Sequence, residues 1–269
     1  MNASLTSAPS PVATPLHPHL GLMLALWRRE LLRLRRERAR WIGIALQPLL
    51  FWVILGSGFS PSFRLDAAPG VAYGGFFFPG TLVMVVLFTA IFSTITVIED
   101  RQSGFLQGVL VAPGSRVAMV LGKVLGITSV VVLQTMLFVA LAPVADLSFA
   151  DIAWLPLLIG VVLASILCAS IGMAMAWLLP TSQAYHGIMS VVLLPMWVLS
   201  GALFPPGSGV MSVIVACNPL SYAVTTVRGA MIPALRGGMW TSAAILAGVA
   251  ALFLGLAAAA CRRSGGRPS

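Results

Sequence analysis

The residues that could carry out chemistry are few and lie far apart in the chain. A metal site needs three or four histidine, cysteine or carboxylate side chains close together, so no metal site is predicted. The cysteines indicate small apolar side chains, not a disulfide framework. Ser200 has no nearby base to make it a nucleophile, and we expect its hydroxyl to bond within its own helix. The histidines and cysteines are His17, His19, His186, Cys168, Cys217 and Cys261.

The sequence also lacks the residues that usually bind nucleotides or carry ions across a membrane. A phosphate-binding loop has the pattern G-x-x-x-x-G-K-[ST], whereas the sole lysine, Lys123, follows Gly122 and precedes Val124. We therefore expect no ATP site of that type and no cofactor on this chain. Proton relays place ionisable residues in the middle of apolar segments. Lys123 lies only a turn or two inside one and is expected to snorkel, although hydroxyls such as that of Thr89 could still line a sodium site.

The elements that contain these residues are long and apolar. Of the 269 residues, 59% are hydrophobic and 9% are charged, and the mean hydropathy is +0.99. Soluble domains have roughly 25% charged residues, so a soluble enzyme is excluded. One crossing of a bilayer takes about 20 apolar residues. We predict an all-α membrane protein with six transmembrane helices, at residues 41–59, 75–98, 117–142, 154–179, 187–204 and 240–261.

Basic residues predict the orientation of these six spans. The net charge is +9, and every basic residue except Arg64, Arg228 and Arg236 falls on the side of the two termini. Cytoplasmic loops collect arginine and lysine, so both termini are predicted to be cytoplasmic in a multi-pass protein of the bacterial inner membrane. Anionic headgroups explain this basic charge better than a nucleic acid does, and no nucleic-acid partner is expected.

Two segments precede the first span. Residues 1–19 are rich in Ser, Pro, Thr and Ala and predict a disordered cytoplasmic tail, as do residues 264–269 at the other end. Residues 20–40 repeat apolar positions at spacings of three and four, with arginines between them, which predicts an amphipathic helix on the membrane surface. Glu30, Arg33 and Glu37 are spaced for pairs along one helix face. A plain basic anchor for the first span is the alternative.

The stretch after the fifth predicted span, residues 205–227, is still largely apolar. Pro205, Pro206 and Pro219 would break a spanning helix. We predict short helices that enter the outer leaflet and return, a re-entrant outer hairpin between helices 5 and 6 that packs on protein. One additional full span is the alternative, but it would place the basic C-terminus outside.

The longest internal cytoplasmic loop is EDRQSGFLQGVLVAPGSR, residues 99–116. Phe105, Leu106, Val109 and Leu110 recur at helical spacing and predict a short amphipathic helix, which Pro113 ends. Such a helix could lie among lipid headgroups or dock into a groove on a soluble partner. The residues alone leave these two alternatives open.

This loop resembles the coupling segment of the ABC-2 type permeases, the membrane subunits of ATP-binding cassette exporters. In that family an acidic residue leaves the second span, and a Gly-x-Leu-like stretch leads to a Leu-x-x-Pro-x-Ser-Arg turn. Residues 199–206, LSGALFPP, and 218–232, NPLSYAVTTVRGAMI, are similar to two further family motifs. The resemblance covers residues 20–263. Gln107 stands where many members carry a charge, and Ser221 where threonine is usual.

The resemblance implies a fold and roles for individual residues. Residues 41–263 would form the transmembrane domain, residues 20–40 its connecting helix, and residues 104–110 a cytoplasmic coupling helix. The residues that couple the chain to an ATPase would be Glu99, Asp100, Arg101, Gly104, Phe105, Leu106, Leu110, Pro113 and Arg116. The outer re-entrant motif would contain Pro205, Pro206, Asn218, Pro219, Tyr222 and Arg228.

The resemblance also implies partners and a mechanism. An ATP-binding cassette ATPase would bind ATP and magnesium, and a second permease copy, identical or closely related, would complete the pathway in the lipid bilayer. ATP binding would move the loop as a lever and switch the pathway outward. An ATP-independent secondary carrier and an intramembrane enzyme are the alternatives.

The pathway is expected between the second and fifth spans of the two copies. A stripe of phenylalanine and methionine there is usually packing, but it would also suit a hydrophobic or amphiphilic substrate such as a drug, a glycolipid or a lipo-oligosaccharide. The candidate lining residues are Phe77, Thr81, Met84, Phe88, Met189 and Met196.

Overall fold

The computed structural model of the protein describes residues 18–36, 38–59, 70–105, 115–205 and 209–264, and these residues form helices joined by short turns, without strands. The all-α prediction is therefore confirmed for this part of the chain. The helices are α1 (Pro18–Arg36), α2 (Arg38–Phe59), α3 (Tyr73–Gln102), α4 (Arg116–Val139), α5 (Trp154–Leu178), α6 (Ser182–Trp197, continued by a π turn, Val198–Ala202), α7 (Val210–Cys217), α8 (Pro219–Met231) and α9 (Met239–Ser264).

Five of these helices are long and apolar enough to cross a membrane. They are α3, α4, α5, α6 with its π turn, and α9, and they correspond to predicted spans two to six. The predicted first span falls in α2, whose apolar part is the shorter stretch Leu46–Phe59. Helices α7 and α8 meet at 88°, which is the geometry of either one broken span or a re-entrant loop. The described residues thus contain five or six candidate spans.

Helix α3 forms the centre of the bundle. Its apolar side chains are buried almost throughout, against α2, α4, α5, α6 and α8. Close approach depends on small residues: a Cβ atom at Gly80 would lie only 2.7 Å from the carbonyl oxygen of Ala202. The two ends of α3 emerge from this core among polar partners, and these ends are the two regions described next.

Candidate functional site

The C-terminal end of α3 binds several other parts of the structure. We call residues 99–102 the α3 hub. The side chain of each hub residue binds a group outside α3, so the hub joins α1, α4 and the turn between α5 and α6. The partners are Arg33 for Glu99, Arg29 and Lys123 for Asp100, the Leu179 carbonyl for Arg101 and the Pro180 carbonyl for Gln102.

Asp100 accepts three charge-assisted hydrogen bonds. Two come from Arg29, at 2.6 and 2.7 Å, and one from Lys123, at 2.7 Å. Asp100 is only 3% exposed. Removing a charge from water costs several kcal/mol, and close ionic partners are what offset that cost. Asp100 therefore depends on both α1 and α4 to remain charged inside the protein.

Lys123 does not snorkel, contrary to the sequence prediction. Its side chain is 1% exposed, and besides Asp100 its ammonium donates to Glu30 at 3.2 Å and to the Thr96 hydroxyl at 3.4 Å. The reason is that carboxylates of α1 and α3 provide a charged environment inside the bundle. An ammonium that has such partners gains no advantage from extending to the headgroups.

The charges of this region balance. Three cations and three carboxylates meet between α1, α3 and α4. The hydrogen bonds from Arg29 to Asp100 raise the pKa of the arginine above its ordinary value, so the guanidinium stays charged at any physiological pH. The members are Arg29, Arg33, Lys123, Glu30, Glu99 and Asp100.

Helix α1 packs closely on α4 along one face. A Cβ atom at Gly122 would lie 2.8 Å from the Met23 carbonyl oxygen, and one at Gly126 would lie 2.8 Å from the Glu30 side chain. Trp27 adds a hydrogen bond of 3.0 Å to a serine of α4. Helix α1 (Pro18–Arg36) covers most of the region predicted as an amphipathic helix, residues 20–40, and packs one face against protein. Its position on the membrane surface stays a prediction.

The ion pairs of α1 run between helices. Glu30 binds Lys123 of α4, and Arg33 binds Glu99 of the hub at 3.1 Å. Sequence spacing along α1 indicated partners on the same helix instead. Glu37, the other expected partner of Arg33, lies outside the described residues, so that pair stays a prediction.

The predicted coupling segment, residues 99–116, includes the hub and continues beyond it. Gly104 has a positive φ of 74°, and the Arg29 guanidinium lies 4.0 Å from the centre of the Phe105 ring. A guanidinium over an aromatic face is an attractive cation–π contact. The same arginine thus binds both Asp100 and the first part of the coupling segment. Leu106, Leu110 and Pro113 lie outside the described residues, and the helix predicted there stays a prediction.

The chain returns from that segment at Ser115, which caps α4. The Ser115 hydroxyl accepts from the backbone N–H of Ala118 at 3.1 Å, and the Ser115 N–H donates to Nδ1 of His19 in α1 at 2.9 Å. Arg116 donates to the Arg262 carbonyl at the end of α9 at 2.7 Å. Both ends of the predicted coupling segment are therefore anchored on α1, and the second end also contacts α9.

The opposite end of α3 contacts the break in α6. Gly201 has a positive φ of 77° inside the π turn, a conformation that suits glycine. Arg228 of α8 donates to the carbonyls of Gly201 and Ala202, at 3.1 and 3.0 Å, and lies 3.9 Å from the Phe76 ring centre. The arginine thus caps carbonyls at the end of α6, where a cation is favourable.

The elbow between α7 and α8 is built by the NPLSY motif. The Asn218 amide donates to the Met196 carbonyl at 2.5 Å and accepts from the Leu220 N–H at 3.0 Å, and Pro219 takes the first position of α8. The Tyr222 hydroxyl binds a carbonyl of α7 at 2.7 Å. This motif and Arg228 together join α8 to the end of α6. Pro205 is exposed beyond the π turn, and Pro206 lies outside the described residues.

The candidate pathway residues lie in two environments. Met196 lines an apolar cleft of about 390 Å³ between α6 and α7, together with residues such as Leu199 and Ile214. The other five are buried inside this single chain and take part in its packing. These five are Phe77, Thr81, Met84, Phe88 and Met189.

The roles of several residues in these two regions were not predicted from the sequence. Around the hub these residues are Arg29, Glu30 and Lys123, whose ion pairs between helices were not expected. At the break in α6 they are Trp197 and Gly80, which share a hydrogen bond of 2.9 Å. A glutamate in an apolar helix face and a lysine inside an apolar span are the signals that could have indicated a buried ion pair.

Comparison with known proteins agrees with the motifs in these regions. The family model for the ABC-2 type transporter matches residues 21–232, which include the hub, the predicted coupling segment and the elbow between α7 and α8. The chain belongs to this family. ABC-2 family members are membrane proteins, which agrees with the apolar helices of the bundle, and the protein is a multi-pass membrane protein.

Two relatives of this ABC-2 protein are named as permeases. The first, from Cyanophora paradoxa, is ycf38, whose name describes a transport permease. It is 30% identical over 77% of this chain and 72% of its own length. The second, from Streptomyces coeruleorubidus, is named daunorubicin resistance ABC transporter permease protein DrrB1. It is 27% identical over 85% of this chain and 81% of its own length.

Proposed function

We propose that this ABC-2 family chain is the permease subunit of an ATP-driven exporter in a bacterial inner membrane, with both termini in the cytoplasm. One observation carries the proposal: the segment after the hub is anchored at both ends on α1, at Phe105 on one side and Ser115 on the other. A docking segment anchored at both ends would transmit the movement of a bound partner to the helix bundle. A segment whose ends made no contacts would move without displacing the helices.

The hub would convert that movement into a rearrangement of the helices. Arg29 contacts both Phe105 and Asp100, and Asp100 contacts Lys123 of α4. Arg101 extends the chain of contacts to the turn before α6. A partner that binds this segment differently in two states would shift the positions of α1, α4 and α6 together.

The partner would be an ATP-binding cassette ATPase that binds ATP and magnesium. This chain contains no phosphate-binding loop, and the ABC-2 family together with the name of DrrB1 supports an ABC transporter. A second permease copy, identical or closely related, would complete the transporter. In this arrangement α7 and α8 would form the re-entrant outer hairpin, and the buried Arg228 would tie it to the end of α6.

The substrate would be hydrophobic or amphiphilic and would move along the outward face of α6. Val191, Val192 and Val198 are exposed there, beside the apolar cleft lined by Met196. The five buried candidates would line the pathway only where helices separate during the transport cycle. The drug named for DrrB1 is consistent with such a substrate.

The test is reconstitution of the permease with its ATPase in vesicles. Export of a hydrophobic dye should require both proteins and ATP, and Phe105→Ala should release the ATPase in affinity purification. Phe149→Ala, which changes an exposed aromatic far from the hub, serves as the matched control and should retain the ATPase. Transport by the permease alone, driven by an ion gradient, would contradict the proposal and favour a secondary carrier.

A further inference from the structure

Helix α1 has a second face, turned away from α4. Five of its residues follow one another at intervals of four and are exposed: Leu20, Leu24, Arg28, Leu32 and Arg36. We call them the α1 outer stripe. Its leucines are 49%, 51% and 48% exposed, so apolar and basic side chains share one surface.

The exposed charge at this end of the described chain is positive. The carboxylates of Glu30, Glu99 and Asp100 bind basic residues within the six-charge cluster. Arg28 and Arg36, in contrast, are exposed on the outer stripe. Arg262, at the end of α9, is exposed too, and its carbonyl binds Arg116 at the start of α4, next to the beginning of α1.

A lipid surface suits both kinds of side chain on this stripe. Water would leave three leucines exposed, and a purely acidic soluble surface would bind the arginines only. At the boundary between headgroups and acyl chains, leucines enter the apolar layer while arginines extend to the phosphates. Arginine also binds phosphate oxygens with two parallel hydrogen bonds.

From this pattern we infer that the α1 outer stripe binds anionic phospholipid, with Arg28 and Arg36 on the headgroup phosphates and the leucines among the acyl chains. Anionic lipids are preferred over zwitterionic lipids because their net negative charge attracts the unbalanced arginines. The inference does not depend on an ATPase partner, so it can hold or fail separately from the proposed function.

The experiment measures lipid binding to the full-length permease, purified without an ATPase in mild detergent. Phosphatidylglycerol and phosphatidylcholine are titrated, and bound lipids are counted by native mass spectrometry. Each arginine near an anionic surface contributes about a fivefold change in affinity. Arg28→Gln and Arg36→Gln should each weaken phosphatidylglycerol binding about fivefold, and the double variant on the order of 25-fold. Phosphatidylcholine binding should weaken much less, because its choline balances the charge of its phosphate.

The matched control is Arg236→Gln, which neutralises an exposed arginine at the far end of the bundle. It should leave phosphatidylglycerol binding unchanged. Added salt should weaken phosphatidylglycerol binding to the wild-type protein, a readout that needs no variant. Equal wild-type affinity for the two lipids would overturn the inference. So would a double variant that keeps its lipid selectivity but loses a copurifying ATPase, because the stripe would then be a protein-docking face.

Discussion

Asp100 binds Arg29 through both of its carboxylate oxygens, at 2.6 and 2.7 Å, while the same guanidinium lies 4.0 Å from the ring centre of Phe105. One side chain of α1 therefore contacts the end of the central helix and the first part of the predicted coupling segment. A planar guanidinium orients both contacts, so this one arginine links Phe105 to α1 and to the end of α3.

Asp100→Asn should destabilise the protein strongly. The substitution leaves the buried Lys123 and the partly exposed Arg29 beside a neutral amide, and breaking a buried ion pair on one side costs about 3–5 kcal/mol. For a chain of this size that corresponds to a melting temperature lower by roughly 6–20 °C. Thermal unfolding in detergent can be followed by the reaction of the buried Cys168 and Cys261 thiols with a fluorescent maleimide, in a Cys217→Ser background that removes the exposed thiol.

Asp151→Asn is the control for this prediction, since the Asp151 side chain is exposed and its backbone carbonyl makes the hydrogen bond to Arg236. It should change the melting temperature by no more than a degree or two, about the effect of an ordinary surface substitution. Equal melting temperatures for the two variants would show that the ion pairs of Asp100 contribute nothing to stability.

Glu30 and Lys123 should behave as one energetic unit. Their 3.2 Å ion pair is buried on both sides, so each single substitution, Glu30→Gln or Lys123→Met, leaves a buried charge with fewer partners. The double variant should be destabilised by less than the sum of the singles, with a coupling of about 1–3 kcal/mol. Melting temperatures of the four proteins in the cycle provide the measurement, and additive effects would contradict the pairing.

The sequence was sufficient to locate the hub but not to pair its residues. Glu99, Asp100 and Arg101 follow a long apolar run, so their position at the end of a span was predictable from composition. Periodicity along α1 defined a helix face, but it does not identify the neighbour of that face. The structure shows that Leu26 and Glu30 pack on Gly122 and Gly126, and this close approach brings the carboxylate to Lys123.

At the break in α6 the motifs were again predictable from the sequence, while the contacts between them were not. The LSGALFPP and NPLSY stretches were recognisable as motifs, and Pro219 predicted a break in any helix spanning this region. The contact from Arg228 to the Gly201 and Ala202 carbonyls was not predictable, because it depends on a π turn and on the 88° bend between α7 and α8. The burial of Phe77 and Met84 likewise depends on the central place of α3, which no local pattern reveals.

Gly122→Ala should separate α1 from α4. The new methyl group would lie 2.8 Å from the backbone oxygen of Met23, and a backbone atom can yield only if the whole helix shifts. At Gly248 of α9 an added methyl group would have no atom within 4 Å, so Gly248→Ala is the control and should be neutral or slightly stabilising. Limited proteolysis should cleave near α1 faster in the Gly122 variant alone. Equal cleavage rates would contradict close packing at this glycine.

Arg228→Gln should destabilise the end of the bundle that contains the break in α6. The substitution removes a buried cation that binds two carbonyls and an aromatic ring, and hydrogen bonds to a charged group contribute about 1.5–3 kcal/mol each. For the loss of both bonds the melting temperature should fall by roughly 6–24 °C. Arg236→Gln, an exposed arginine with one carbonyl partner, should change it little. If Arg236→Gln lowered the melting temperature as much as Arg228→Gln, the effect would come from removing any positive charge and not from losing the contact of Arg228 with the two carbonyls.

Gly201→Ala tests the break in α6 itself. Gly201 has a φ of 77°, and an L-residue with a side chain pays about 1–2 kcal/mol to adopt the left-handed region. Gly187→Ala is the matched control, because Gly187 lies in the regular part of the same helix with no atom near its added methyl group. Gly201→Ala should therefore lower the melting temperature by roughly 2–8 °C, while Gly187→Ala should leave it equal or slightly higher.

Because Arg228 binds the carbonyl of this same glycine, Gly201→Ala and Arg228→Gln combined should lower stability by less than the sum of their separate effects. Full additivity would mean that the break and its cap are independent features.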